Sequence, residues 1–256
     1  MMLWPEGQAP HREACSGQRE PSLQAYIAPG LRGAVIVCPG GGYVCKAPHE
    51  GEPIARMLQQ AGISAFVLDY RVHPCPHDAP LGDALRAVRV VRGMGYAQVG
   101  ILGFSAGGHL ACSAALLSTP GDPAADDPVE RLSSRPDGLI SCYSVVTMRA
   151  PAAHAGSRCA LLGGDCPPEA LVHRYSLEEQ VTPDAPPAFI WHTAEDASVP
   201  VENSLALAAA YSRCRVPFAL HIFPEGRHGL GLAREIPQTG AWAALCVQWL
   251  TDRGFA

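Results

Sequence analysis

Gly103-Phe104-Ser105-Ala106-Gly107 sets a serine between two glycines at the spacing G-x-S-x-G. The run before it, "QVGILGF" (98–104), has strand character, and the run after it, "SAGGHLACSAALLS" (105–118), has helical periodicity. In that setting the motif makes a tight strand-to-helix turn. The small residues two before and two after the serine relieve crowding, and Oγ projects at the carboxyl edge of a sheet. A glycine-rich turn with a serine N-cap is the plain alternative. The strand–turn–helix context favours a nucleophile.

A serine hydroxyl is nearly inert at neutral pH unless a base takes its proton, so a histidine and an orienting acid are required. In open parallel sheets such partners follow later strands. "FIWHTAEDASVPVE" places Asp196 three residues past a strand ending near Thr193. "LHIFPEGRHGLGL" places His228 a few residues past one ending near Phe223. Glu195 and Glu225 are alternative acids, but Asp196 leads a turn that can hold a short side chain rigidly. His192 and His221 sit inside strands and His109 lies one turn into the nucleophile helix, so all three read as packed residues. His73 and His77, in a Pro-rich loop, border the expected pocket.

Attack on an acyl carbonyl generates an oxyanion, and losing one donor to it typically costs about 3–4 kcal/mol of barrier. Pro39-Gly40-Gly41-Gly42-Tyr43 follows the strand "AVIVC", and glycines there let bare backbone N–H groups face a substrate oxygen. No GxGxxG or GxxxxGK[ST] can be drawn through residues 40–47, so a phosphate cradle fails on spacing. An apolar strand abuts the glycines directly, so a flexible linker fails too.

These residues need a scaffold. Strand-length apolar runs at 33–38, 64–70, 98–104, 137–144, 187–193 and 218–223 alternate with helical patterns at 51–62, 80–94, 105–118, 201–214 and 239–254. The runs are continuous rather than alternating, as in strands covered on both faces. The alternation predicts right-handed crossovers and a doubly wound, mostly parallel sheet of seven to eight strands, with an antiparallel edge near 22–28. Residues 119–136, rich in Pro and Asp, read as a surface excursion, and 145–186 as a small insert or cap. With no repeat or linker, residues 1–256 are expected to form one domain.

The 256 residues are 48% hydrophobic and 17% charged with net charge −5. No basic stripe serves nucleic acid. No stretch approaches the roughly 18 apolar residues of a membrane span, and "MMLWPEGQAPHREACSG" has no signal-peptide pattern, which leads to an expected cytoplasmic location. The ten cysteines include no CxxC pair, and several lie in apolar runs. They are expected to be reduced and, where buried, to act as small hydrophobes.

"CPGGGY", "EGEPIARMLQQAGISAFVLDYRVHP", "DALRAVRVVR", "GILGFSAGGHLA" and "PPAFIWHTAEDASVPVENSLALAAAY…GRHGLGL" together resemble bacterial α/β-hydrolase esterases of the acetyl-xylan-esterase-like group, related to the hormone-sensitive-lipase group. The resemblance runs from about residue 22 to 252 and carries the chain order Ser, Asp, His of that fold. It implies a serine esterase without cofactor or metal, acting on a small-molecule ester with a short acyl chain, acetylated sugars among them. Position by position it makes Ser105 nucleophile, His228 base and Asp196 acid, with the N–H groups of Gly41, Gly42 and Ala106 as oxyanion hole. Tyr43 and His73 are expected at the substrate pocket, and Glu50 and Glu52 beside it. Pro39 stands where the lipase pattern has a histidine that braces the loop, a departure that bears on pocket shape rather than on catalysis.

An aryl-formamidase or small peptidase would use the same three residues. A non-catalytic receptor of this fold would be expected to lack one of them. A homodimer, if formed, would use edge strands or the 119–136 excursion, and nothing in the sequence selects one.

Overall fold

The computed structural model describes all 256 residues. The strands are β1 (Ser22–Tyr26), β2 (Gly33–Cys38), β3 (Ser64–Asp69), β4 (Gln98–Phe104), β5 (Gly138–Cys142), β6 (Ala188–Thr193) and β7 (Phe218–Phe223). They form one seven-stranded sheet in the order β1-β3-β2-β4-β5-β6-β7. Only β1 runs antiparallel, pairing with β3 from Ser22↔Asp69 to Tyr26↔Ala65. The expected antiparallel edge is therefore present, and the strand count falls at the lower end of the expected range.

The helices are α1 (Glu52–Gln60), α2 (Asp78–Gly93), α3 (Ser105–Leu116), α4 (Ala155–Leu162), α5 (Glu169–Tyr175), α6 (Glu202–Arg213), α7 (Pro237–Gly240) and α8 (Trp242–Asp252). They cover both faces, so β2, β5 and β6 are buried along their whole length, which is why those strands read as unbroken apolar runs. One apolar cluster contains Ile36, Phe66, Ile101, Leu110 and Ile190, and the other contains Val37, Leu102, Phe104, Trp191 and Trp242. Alternate side chains of β2 and β4 thus enter opposite cores.

The 119–136 excursion has no helix or strand. It is tied to α2 by Arg86, which pairs with Asp127 and Glu130 at 2.6 and 2.7 Å, and by Arg89, which donates to Leu132 O at 2.8 Å. The 145–186 segment contributes α4 and α5. No helix is long and apolar enough to cross a membrane.

One cysteine expectation is overturned. Cys15 and Cys75 form a disulfide with Cα atoms 4.8 Å apart, while the other eight cysteines are free. Sequence could not show this pairing. It arises because the N-terminal segment folds back onto the Pro-rich loop, where the buried Arg71 guanidinium donates to Pro10 O and is held by Asp83 at 2.6 Å.

Candidate active site

Ser105 sits at the turn where β4 passes directly into α3. Its φ of +52° is in the left-handed region, which side-chain-bearing residues enter at a cost and usually at functional turns. The surrounding glycines make the turn feasible. A Cβ on Gly103 would collide with the Gly107 carbonyl, and one on Gly107 with the carbonyls of Cys38 and Pro39. The elbow and the glycine loop after β2 are thus pressed together, and only hydrogen fits at the contact.

The three distant residues converge. His228 Nε2 is 2.8 Å from Ser105 Oγ, and His228 Nδ1 is 2.6 Å from Asp196 Oδ2. The carboxylate can only accept, so the Nδ1 proton points at Asp196 and Nε2 is left as acceptor for the serine proton. Asp196 is itself held from several sides. Its Oδ1 accepts the N–H groups of Ser198 and Val199, both at 2.9 Å, and His192 Nε2 lies 3.3 Å from Oδ2. Burial alone would raise the Asp196 pKa. The hydrogen bonds from His192, His228 and the Val199 N–H outweigh it and hold the carboxyl well below the usual carboxylate range. His192, expected to be a packed strand residue, is one, with Ser204 Oγ at Nδ1 and Val199 O at Nε2.

The glycine loop closes on itself through Val44 and Cys45 N–H groups donating to Gly41 O, at 3.0 and 3.1 Å, and Ala47 N–H to Gly40 O at 2.8 Å. The Gly40 N–H donates to Glu50 Oε2 at 2.7 Å. The N–H groups of Gly41, Gly42 and, at the first turn of α3, Ala106 have no acceptor within the protein. Gly41 and Gly42 have φ of +134° and +65°, conformations that glycine reaches without penalty. The three groups are spare donors, and the loop that carries the first two touches the elbow, since a Cβ on Gly40 would stand 3.0 Å from Ser105 Cβ.

Other assignments fare unevenly. Tyr43 is 1% exposed and bonds His109 Nδ1 at 2.8 Å, so it braces the glycine loop from beneath and does not line a substrate pocket. The sequence places it beside the glycines but not which way its ring turns. His73 is exposed, donates its N–H to Tyr43 O at 2.7 Å, and lies 3.3 Å from Ala160 O of α4. It links the loop to the 145–186 segment. His77 contacts Tyr175 Oη at 3.1 Å. Glu195 holds the Gly226 N–H at 3.0 Å and Glu225 is exposed, and the carboxylate bonded to His228 is that of Asp196. His109 is fully buried between Tyr43 and Tyr175 O, and burial, partly opposed by that carbonyl, lowers its pKa to about 4.

Two neighbours were not legible in the sequence. His154 caps α4 by accepting the Ser157 N–H at 3.1 Å and, at 2.8 Å, the Ser157 hydroxyl at Nδ1, which leaves its proton on Nε2. Burial lowers its pKa, and His228 nearby adds to the effect. Tyr143 stands edge-on to the His228 ring with centroids 5.2 Å apart. A residue just past a strand end was the only available signal for it. Beside His228 a cavity of about 320 Å³ is lined by His49, Arg227, Gly229 and Leu230. It shares Pro53, Leu232, Ala233 and Arg234 with a groove of about 690 Å³ along α1.

Residues 28–211 match the BD-FAE family. The chain belongs to this family of α/β-hydrolases. The chain is 40% identical over 229 residues to endo-1,4-beta-xylanase B of Butyrivibrio fibrisolvens, covering 84% of this chain and 35% of that protein. It is 32% identical over 232 residues to an acetylxylan esterase of Xylanibacter ruminicola, covering 86% of this chain and 44% of that one. The BD-FAE chain therefore spans less than half the length of these curated relatives. Among solved structures, an acetyl ester-xyloside bifunctional hydrolase from Caldicellulosiruptor lactoaceticus superposes with a TM-score of 0.95 at 46% identity, covering 100% of this chain and 96% of that one. The carboxylesterase Cest-2923 of Lactobacillus plantarum shares the fold, with a TM-score of 0.73 at 24% identity over 91% and 93% of the two chains.

Proposed function

We propose that this protein is a serine esterase that removes acetyl groups from carbohydrates of the xylan type. The observation that carries the reading is the unbroken line from Asp196 Oδ2 through His228 to Ser105 Oγ, with contacts of 2.6 and 2.8 Å. The relatives named for acetylxylan and acetyl-xyloside chemistry supply the substrate class.

In this mechanism His228 Nε2 accepts the Ser105 proton as Oγ attacks the acetyl carbonyl. Asp196 holds the imidazole orientation and stabilises the imidazolium. The carbonyl oxygen, now an oxyanion, accepts from the Gly41, Gly42 and Ala106 N–H groups. Collapse breaks the ester C–O bond, and the sugar hydroxyl leaves with the proton from His228. A water molecule, deprotonated by the same Nε2, then attacks the acetyl-serine. Acetate departs and Ser105 recovers its proton. The cavity beside His228 gives the sugar portion room, with His49, Arg227 and Arg234 supplying polar groups. Residues 1–256 act as one catalytic domain, with 145–186 as a small cap over the site.

The test is a turnover panel of acetylated xylo-oligosaccharides, aryl esters of graded chain length and N-formylkynurenine, run beside stoichiometric labelling by an organophosphonate. Labelling abolished in Ser105→Ala, with acetyl esters preferred, is the expected result. A wild-type chain that neither labels nor cleaves p-nitrophenyl acetate ends the esterase reading. Preference for N-formylkynurenine would replace it with a formamidase.

A further inference from the structure

Glu50 is 2% exposed, yet no lysine or arginine neutralises it. The only basic side chain beside it is the exposed His49, whose Nε2 is 3.7 Å from Oε1. A buried carboxylate without a close cation is tolerated only when its oxygens are hydrogen-bonded, and here both are. Oε2 accepts the Gly40 N–H at 2.7 Å, and Oε1 accepts the Tyr143 hydroxyl at 2.6 Å. The same hydroxyl accepts the Gly231 N–H at 2.9 Å.

These three bonds join three loops. Gly40 belongs to the loop after β2, one residue before the spare N–H donors. Tyr143 follows β5, with φ of +35° and its N–H on Trp191 O at 2.8 Å. Gly231 lies in the loop after β7, three residues beyond His228, and its carbonyl accepts Trp242 Nε1 at 3.0 Å. The Tyr143 ring is wedged between Phe104 and Trp191, with centroids 5.4 and 5.0 Å away, and meets the His228 ring. Neither end can shift without breaking a bond to a fully buried group. Burial, reinforced by the Glu50 charge, pushes the Tyr143 phenol well up, so its proton stays in place to be donated.

We propose that Glu50 and Tyr143 form a buried strut that sets the position of the base, His228, relative to the oxyanion donors of the glycine loop. They are positioning residues, since neither touches the reacting atoms. The proposal rests on the esterase reading for its kinetic consequence, but not for its geometric one. A hydroxyl that must donate and accept at once has no substitute in phenylalanine. Loss of the strut therefore leaves Oε1 and the Gly231 N–H unpaired and frees the two loops to drift. Misplacement on the scale of an ångström typically costs on the order of 100-fold in rate.

The experiment compares wild type, Tyr143→Phe, Glu50→Gln and the double variant. Steady-state kinetics on p-nitrophenyl acetate are read beside thermal unfolding and the low-field proton resonance of the His228 Nδ1–H. Each single variant should melt cooperatively and lose roughly 10- to 100-fold in kcat, with KM within about threefold. The double variant should be no worse than the poorer single one, because parts of one unit are non-additive. The resonance should move or exchange faster in both single variants. If Tyr143→Phe is too unstable to purify, Glu50→Gln carries the same comparison. Unchanged kcat in a folded variant, multiplicative losses in the double, or a loss confined to KM overturns the strut. If wild type itself is inactive, the esterase reading fails, and the resonance alone decides. An unaltered His228 Nδ1–H signal in both variants overturns the strut.

Discussion

His228 Nδ1 and Asp196 Oδ2 are 2.6 Å apart, and Asp196 spends its other oxygen on two backbone N–H groups. The acid is therefore fixed before it meets the imidazole, and it can only accept. This dictates the tautomer of His228.

Asp196→Asn removes that constraint. An amide nitrogen turned toward His228 would favour the wrong tautomer and point the Nε2 proton at Ser105. The expected loss is on the order of 10⁴ in kcat with little change in KM. Steady-state kinetics of the purified variant check it. A loss below tenfold would show that another group orients His228.

Gly41 and Gly42 should respond differently. A Cβ at Gly41 would overlap the Cys45 carbonyl, whereas one at Gly42 meets only Val44 at 3.9 Å. Gly41→Ala must therefore reshape the loop and should cut kcat by roughly 100-fold or more, the size of a lost oxyanion donor. Gly42→Ala meets only the strain of its positive φ, about 1 kcal/mol, and should stay within about tenfold of wild type. Equal losses at both would count against this loop geometry.

Tyr43→Phe separates bracing from substrate contact. The buried hydroxyl bonds His109, and its removal should cost about 1–2 kcal/mol of stability. KM for acetyl esters should not change. Denaturant unfolding and Michaelis kinetics together decide, and a raised KM with unchanged stability would restore Tyr43 to the pocket.

His109 makes stability pH-dependent. Its pKa falls from the ordinary 6.5 to about 4 on folding because burial disfavours the charge. Below 6.5 the unfolded chain therefore binds a proton that the folded one refuses. Stability from this residue is intact above pH 6.5, declines as pH falls, and is fully lost near pH 4. At about 1.4 kcal/mol per decade the loss is on the order of 3 kcal/mol. Urea melts of wild type and His109→Gln between pH 7 and 4 should show the smaller pH slope in the variant.

The sequence determined the strands, most of the helices that separate them, and the serine elbow, because these are local patterns; α4 and α5, within 145–186, read only as an insert or cap. Continuous apolar runs mark strands buried on both faces, and the glycines around Ser105 are needed wherever that turn is made. Asp196 and His228 were legible for a related reason, since a parallel sheet brings the residues after its strands to one edge. The tertiary structure decided what depends on side-chain direction and on contacts distant in the chain. It turned Tyr43 inward onto His109, paired Cys15 with Cys75 across 60 residues, and joined Glu50 to Tyr143 across 93. No periodicity encodes such meetings, because they follow from how loops, a helix and the N-terminal segment pack once the sheet has placed them.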